Sequence, residues 1–170
     1  MTAHPQQLTH TQQLFRNAMS TCAAGVHVIT TDGIHGRYGI TMTAVVPITD
    51  KPPTVMLSIN KRAAFLPILQ ANCELCINVL AGNQQDLAEH FAGMTELSPE
   101  ERFQYHIWHR GRSGQLQVQG ALAYLHGHVS AEHSVGTHQV FYVEIDEIQV
   151  SPSENRSSLV YFQRHFHDLR

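Results

Sequence analysis

The sequence predicts one mainly β domain with short helices, folded as an antiparallel barrel. Three observations carry this. Six or more segments rich in β-branched and aromatic residues are bounded by Gly, Pro, Asn or Asp turns. Helical patterns stand only at some of the joins, so there is no regular βαβ alternation to build a parallel sheet. No G-x-G-x-x-G occurs, which argues against a Rossmann domain.

In chain order, residues 1–13 are expected to be a flexible arm and 14–170 a single domain. Thr9 or Thr11 can cap a helix running to about Cys22, since Leu14, Phe15, Ala18, Met19 and Cys22 recur at three- and four-residue steps. Such an amphipathic helix should lie on something. Ala23-Ala24-Gly25 ends it, and Gly25 opens a strand reaching Thr31. Asp32-Gly33 and Gly36 turn the chain into Gly39-Ile40-Thr41-Met42-Thr43-Ala44-Val45-Val46, the returning arm of a hairpin. On a strand, Thr41 and Thr43 share one face and Ile40, Met42 and Ala44 the other. Two hydroxyls in line either floor a small-molecule site or are simply good strand residues.

Pro47 and Asp50-Lys51-Pro52-Pro53 should break that arm. Residues 54–60 form a third strand and 61–70 a short helix with Pro67 in or near its first turn. A fourth strand at 74–80 precedes a helix at 83–91, which Gly93 stops. Ser98-Pro99-Glu100-Glu101 is a helix start with serine cap, early proline and glutamate three residues on. Residues 106–120 read mostly as loop anchored by Trp108. Two long β runs follow at 121–130 and 137–151, and the skip between Ile145 and Ile148 predicts a bulge. Residues 152–158 are a polar loop, 159–162 a last strand and 163–170 a polar, aromatic tail.

Composition narrows function. The chain has 170 residues, 42% hydrophobic and only 15% charged, with net charge −3 and no basic block. Nucleic-acid binding through phosphates would want a Lys/Arg-rich face. No apolar run has the length of a membrane span, and Met1 to His10 lack a signal peptide's apolar core; a cytoplasmic protein is expected. Cys22, Cys73 and Cys76 do not suggest a disulfide framework. Cys73-Glu74-Leu75-Cys76 has C-x-x-C spacing, but Cys76 runs straight into a strand where a redox motif would open a helix, which favours structural cysteines. Among 13 histidines, His126-x-His128 and His165-x-His167 could each present two imidazoles on one face. Neither has a carboxylate or cysteine at ligand spacing, so no metal is expected.

Several segments, in this order, resemble the flavin reductase-like, FMN-binding split barrels: Phe15-Arg16-Asn17-Ala18-Met19, Gly25 to Thr31, Gly39 to Val45, Ile77-Asn78-Val79-Leu80, His90-Phe91-Ala92-Gly93, Gly136-Thr137-His138 and Tyr161-Phe162. The likeness spans about residues 14–167 and looks nearest to the reductase components of 4-hydroxyphenylacetate 3-monooxygenases. It implies a homodimeric split β-barrel that reduces FMN or FAD with NADH or NADPH. The reduced flavin then serves a separate oxygenase acting on an aromatic substrate. It further implies a flavin-binding strand of Gly39, Ile40, Thr41, Met42, Thr43, Ala44 and Val45. Ser58, Ile59, Asn60, Lys61, Arg62 and Ala63 would lie near the flavin phosphate, with Asn78 and the wall Phe91, Ala92 and Gly93. His138 would stand at the nicotinamide side as the catalytic residue, and Tyr161, Phe162, Gln163, Arg164 and His165 would form a C-terminal flap over NAD(P)H. Relatives often carry serine where this chain has Pro47 and Ala63, which questions the phosphate contact at Ala63; Lys61 and Arg62 could supply charge instead.

Hydride transfer between two cofactors asks little acid–base work of the protein; it asks for the two rings to be held about 3–3.5 Å apart. A chain without a Ser/His/Asp signature or paired carboxylates at helical spacing suits that demand. The competing readings are a non-catalytic flavin-binding protein of the same fold and a His/Cys metal protein.

Overall fold

The structure, a computed structural model, describes residues 8–152 and 157–170. Its elements in order are α1 (His10–Ser20), β1 (Ala24–Gly25), β2 (His27–Gly33), β3 (Gly36–Met42), β4 (Val45–Asp50), β5 (Pro53–Asn60), α2 (Phe65–Asn72), β6 (Glu74–Val79), α3 (Gln85–Ala92), α4 (Pro99–Arg102), β7 (Trp108–Arg110), β8 (Leu116–Val118), β9 (Ala123–Val135), β10 (His138–Val150), β11 (Ser158–Phe162) and β12 (His165–Leu169). Residues 1–7 of the expected arm, and 153–156 of the expected polar loop, lie outside the described residues. Residues 10–13, assigned above to the arm, are the first turn of α1.

Seven strands form one antiparallel sheet in the order β3-β2-β6-β9-β10-β5-β4. Its edge strands β3 and β4 are separated in sequence only by Thr43 and Ala44. Three Cα steps cover roughly 11 Å, so the sheet curls until its edges meet at that end. The edges are joined by chain and not by a ladder, which makes the barrel split. The stretch expected as one strand from Gly39 to Val46 is therefore two strands with a break at Thr43-Ala44, where Val45 N donates to Thr43 O across 2.9 Å. Pro47 does not end this arm. It lies within β4, an edge strand that can spare its missing N–H.

Alternation then sorts the side chains. Ile29, Met42, Val55, Leu57, Ile59, Leu75, Ile77, Phe141, Val143 and Ile145 point inward and pack with Phe65 and Leu69 of α2, which plugs the barrel. The intervening residues of β2, β3 and β6 point outward into a second cluster, built with Leu87 and Phe91 of α3, Phe103, and Leu116 and Val118 of β8. Each fully buried Leu or Phe contributes about 1.5–3 kcal/mol. The predicted bulge lies between Ile145 and Glu147, and a further shift falls between Tyr142 and Val143.

Two expectations change. Residues 106–120 contain the β7–β8 hairpin rather than mostly loop. Buried side chains moor it: Thr30 Oγ1 donates to Leu116 O at 2.7 Å, and Asn78 Oδ1 accepts from Val118 N at 2.9 Å. The C-terminal tail is a strand, β12, paired to β11 around a turn in which Gln163 and Arg164 have φ of 49° and 66°. With β1 they form a separate three-stranded sheet. Of the two candidate caps Thr9 is the one used, in a capping box with Gln12, but helix α1 buries no residue; Leu14, Phe15 and Met19 are all more than half exposed.

Candidate active site: the uncovered outer face of the barrel

Strands β5 and β10 pair in register through His138↔Asn60, Val140↔Ser58 and Tyr142↔Met56, and β4 continues the last row with Val46↔Met56. Residues opposite one another share a face, and here it is the outer one, since Leu57, Ile59, Phe141 and Val143 face inward. No helix or hairpin among the described residues forms a cluster on these outward side chains. The middle of the strip is apolar, with the exposed Val46, the half-buried Met56 and Tyr142, and the buried Val140. Its end is polar: Ser58, Asn60 and His138. Ser58 N donates to Ala44 O at 3.4 Å, which brings the Thr43-Ala44 break to the same end.

Past β5 the chain makes a tight turn. Asn60 Oδ1 accepts from Arg62 N at 2.9 Å, and Asn60 O accepts from Ala63 N at 2.9 Å. Lys61 is tied across to the β9–β10 turn: its N–H donates to Thr137 O at 3.0 Å and its Nζ to Gly136 O at 2.9 Å. His138 Nδ1 shares a hydrogen bond with Thr137 Oγ1 at 2.9 Å. Arg62 is exposed and its guanidinium has no partner among the described residues. Ala63 packs against the barrel interior. Helix α2 then starts at Phe65 with no side-chain cap; Leu66 N donates to Ala63 O at 3.0 Å and Pro67 has no N–H, so its first turn is closed by the chain itself.

Not every predicted site residue reaches this surface. Gly39 lies against Phe91 on the covered side, where a Cβ would stand 2.5 Å from the Phe91 ring; only glycine fits. Thr41 Oγ1 donates to Ala88 O of α3 at 2.7 Å, so its hydroxyl holds a helix, and only Thr43 of the two threonines is exposed. Ile40 and Met42 face the barrel interior, as do Val45 and Ile59. Asn78 is wholly buried and satisfied by Val28 O, Leu116 O and Val118 N. Phe91 is core, while Ala92 and Gly93 are exposed at the C-terminal end of α3, with Gly93 at φ 72°. For Gly39, Ile40, Thr41, Met42, Asn78 and Phe91 the side chains are thus structural. As β3 is an edge strand, one rail of its backbone has no ladder partner, and that rail is what it can offer a ligand.

Tyr161, Phe162, Gln163, Arg164 and His165 do not join the His138 group in any described pairing. Ala24↔Tyr161 pairs them with β1, Gln163 N donates to Ser20 O at 2.8 Å, and the Arg164 guanidinium donates to Asn17 Oδ1 at 2.6 Å. Neither histidine pair gathers a ligand set, since no group of three His, Cys, Asp or Glu among the described residues could hold a metal ion. His126 is buried, with Nδ1 2.6 Å from Ser113 Oγ and Nε2 2.8 Å from Gln117 Nε2; burial pushes its pKa down, so it stays neutral. His128 pairs with Asp146 at 2.7 Å, whose carboxylate raises its pKa. Cys76 is buried and its thiol pKa is pushed up by desolvation, the opposite of a reactive thiolate. Cys73 is an exposed helix cap.

The model of the flavin reductase-like domain matches residues 19–170. The chain belongs to the flavin reductase-like family. A 4-hydroxyphenylacetate 3-monooxygenase reductase component from Pseudomonas aeruginosa is 48% identical over 164 residues, covering 96% of this chain and 95% of that protein. A protein from Stutzerimonas stutzeri named FMN reductase (NADH) RutF is 42% identical, covering 91% and 87%. Among solved structures, that of the flavin reductase PheA2 in its native state superposes with a TM-score of 0.83 at 29% identity, covering 93% of this chain and 97% of the other. The split barrel is thus the fold of flavin reductases. The sequence reading missed the outward row of Val46, Met56 and Tyr142 and the tie from Lys61 to Gly136. The first was present as alternation in Thr54-Val55-Met56-Leu57-Ser58-Ile59-Asn60; the second joins residues 75 apart and had no local signal.

Proposed function

We propose that the chain is an NAD(P)H:flavin oxidoreductase that passes reduced FMN or FAD to a separate aromatic-ring monooxygenase, of the 4-hydroxyphenylacetate type. The carrying observation is the polar end of the uncovered strip, where Ser58, Asn60 and His138 share one face, Ser58 N meets Ala44 O at the break between β3 and β4, and the exposed Arg62 follows two residues past Asn60. One relative's name, FMN reductase (NADH), supplies the reaction in its simplest form: NADH, FMN and a proton give NAD+ and reduced FMN; NADPH and FAD are carried as alternatives. The residues present suit a flavin. Backbone groups of 39–45 suit the ring's polar edge, Thr43 and Ser58 the side chain, and the exposed Arg62 a phosphate. Ala63 needs no hydroxyl for this.

When bound, the flavin itself supplies the electron-accepting chemistry. The chain orients it, keeps water from one side and places His138 next to the nicotinamide. Tyr161, Phe162, Gln163, Arg164 and His165 are proposed for the rest of the dinucleotide, with Arg164 set by Asn17. A homodimer is proposed because exposed apolar residues stand both on α1 (Leu14, Phe15, Met19) and on β4 (Val46, Ile48), and a second copy would cover such surfaces. No helix among the described residues is long and apolar enough to cross a membrane, consistent with the proposed cytoplasmic location.

The test is catalytic. Purified protein with NADH and excess FMN should consume NADH over many turnovers, with NADPH and FAD run alongside. No turnover with any pairing would overturn the proposal, and a stoichiometric yellow complex without turnover would favour a flavin-binding protein of the same fold.

A further inference from the structure

We propose that Lys61 is a positioning residue for His138, and that it latches the β9–β10 turn to the end of β5 rather than binding the flavin phosphate. The inference rests on the flavin reductase reading for its consequence, although the latch itself is geometric. The β9–β10 hairpin projects: residues 131–137 are all exposed, and Val135↔His138 closes a two-residue turn of Gly136 and Thr137. Gln70 Nε2 of α2 donates to the Glu132 carboxylate at 3.0 and 3.1 Å, but well before the turn, and a hairpin tip with no tie of its own moves on the nanosecond-to-microsecond scale. His138 is the first strand residue after that turn, so its ring inherits any motion there.

Lys61 acts on both turn residues. Its backbone N–H donates to Thr137 O at 3.0 Å, which extends the β5–β10 ladder one step past Asn60↔His138. Its ammonium donates to Gly136 O at 2.9 Å, a carbonyl at the apex of the turn. Thr137, thus gripped, shares a hydrogen bond with His138 Nδ1 at 2.9 Å. The chain of contacts therefore runs from Lys61 through the turn to the imidazole. Arg62 makes no comparable contact and is left as the cation of the pair. A phosphate-binding Lys61 would have to abandon Gly136 O and release the turn.

The experiment compares wild type with Lys61→Met, Lys61→Arg and Arg62→Met. Lys61 is exposed, so Lys61→Met should fold with a Tm within about 2 °C of wild type. Reduction of bound FMN by NADH is followed by rapid mixing, and FMN affinity by fluorescence titration. Lys61→Met should slow reduction about tenfold with FMN Kd changed less than twofold, and Lys61→Arg, which keeps a donor, should restore most of the rate. Arg62→Met should do the reverse, weakening FMN with less effect on rate. In parallel, NMR order parameters at Gly136, Thr137 and His138 should fall from about 0.85 toward 0.6 in Lys61→Met and recover in Lys61→Arg. A tenfold weaker FMN affinity with unchanged reduction rate in Lys61→Met would make Lys61 a phosphate ligand and overturn the latch, as would unchanged order parameters. If wild type itself reduces no flavin, the functional reading fails while the order parameters still decide the latch.

Discussion

The outer face of the barrel consists of two halves built by one alternation and finished differently. Over β2, β3 and β6 the outward residues include Val28, Gly39, Thr41, Cys76 and Asn78, and α3, Phe103 and the β7–β8 hairpin bury them. Over β4, β5 and β10 the outward residues are Val46, Met56, Ser58, Asn60, His138 and Tyr142, and no element among the described residues clusters on them. On the covered half Thr41 and Asn78 have backbone partners in this chain, Ala88 O and Val118 N. On the uncovered half, Ser58 and Arg62 have no side-chain partner among the described residues. One half holds the fold together and the other is available for ligand and partner. A residue type that looks functional in sequence acquires its role from the half it lands on.

Substitutions can break this contrast. Phe91→Ala on the covered half opens a cavity under Gly39 and should cost about 3–5 kcal/mol in urea unfolding; a loss below ~1 kcal/mol would mean that α3 does not clamp the sheet. Asn78→Leu leaves the buried Val118 N–H without its side-chain acceptor, for a loss of about 1–3 kcal/mol, again in stability. On the uncovered half the expected effects are on assembly and chemistry. Val46→Glu should leave monomer stability within about 0.5 kcal/mol yet shift sedimentation toward monomer if β4 lies in the proposed dimer interface. His138→Ala should slow flavin reduction about tenfold, or ~1.4 kcal/mol of barrel-independent barrier, with little change in flavin affinity; equal losses in rate and affinity would contradict its role.

The smallest effect concerns acid. Burial lowers the pKa of His27, His106 and His126 below the ordinary 6.5. The unfolded chain then binds more protons than the native one, so stability is full above about pH 6.5 and falls as pH drops toward the native values. His128, raised by Asp146, works in the other direction: its contribution is present below about 6.5 and lost as pH rises through its native pKa, and it is small because the pair is exposed. Tm measured from pH 7.5 downward should therefore begin to fall near 6.5, with hydrogen exchange rising first around the β7–β8 hairpin over His126. A Tm that is flat or rises into acid would contradict the neutral, buried state of these rings.

Strand-by-strand alternation and the caps at Thr9 and Ser98 were local, and the sequence displayed them: β2, β5, β6, β10, α1 and α4 fall where composition and spacing put them. The β7–β8 hairpin was hidden because its hold on the sheet comes from Thr30 and Asn78, far away in sequence. Strand β12 was hidden because a polar strand paired on one side lacks alternation, and its turn uses Gln163 and Arg164 at positive φ, where glycine or asparagine would have signalled it. For the site, resemblance pointed to Thr43 to Val45, Ser58 to Ala63 and Gly136 to His138, segments that the fold brings to one end of the uncovered strip. It could not separate side chains facing the ligand from those facing the core, since that depends on the break at Thr43-Ala44 and on what covers each half. Thr41 and Asn78 are the instructive cases, polar residues that the resemblance assigns to the flavin and whose side chains serve the fold.

Hydrogen–deuterium exchange of the protein with and without saturating FMN shows whether the uncovered half, at its polar end, receives the flavin as proposed. New protection is expected at residues 43–45, 58–63 and 136–138, with unchanged exchange in the β7–β8 hairpin. Protection confined to the covered half, or to the polar cleft lined by Gln84, Gln119, Asp168 and Arg170, would contradict it.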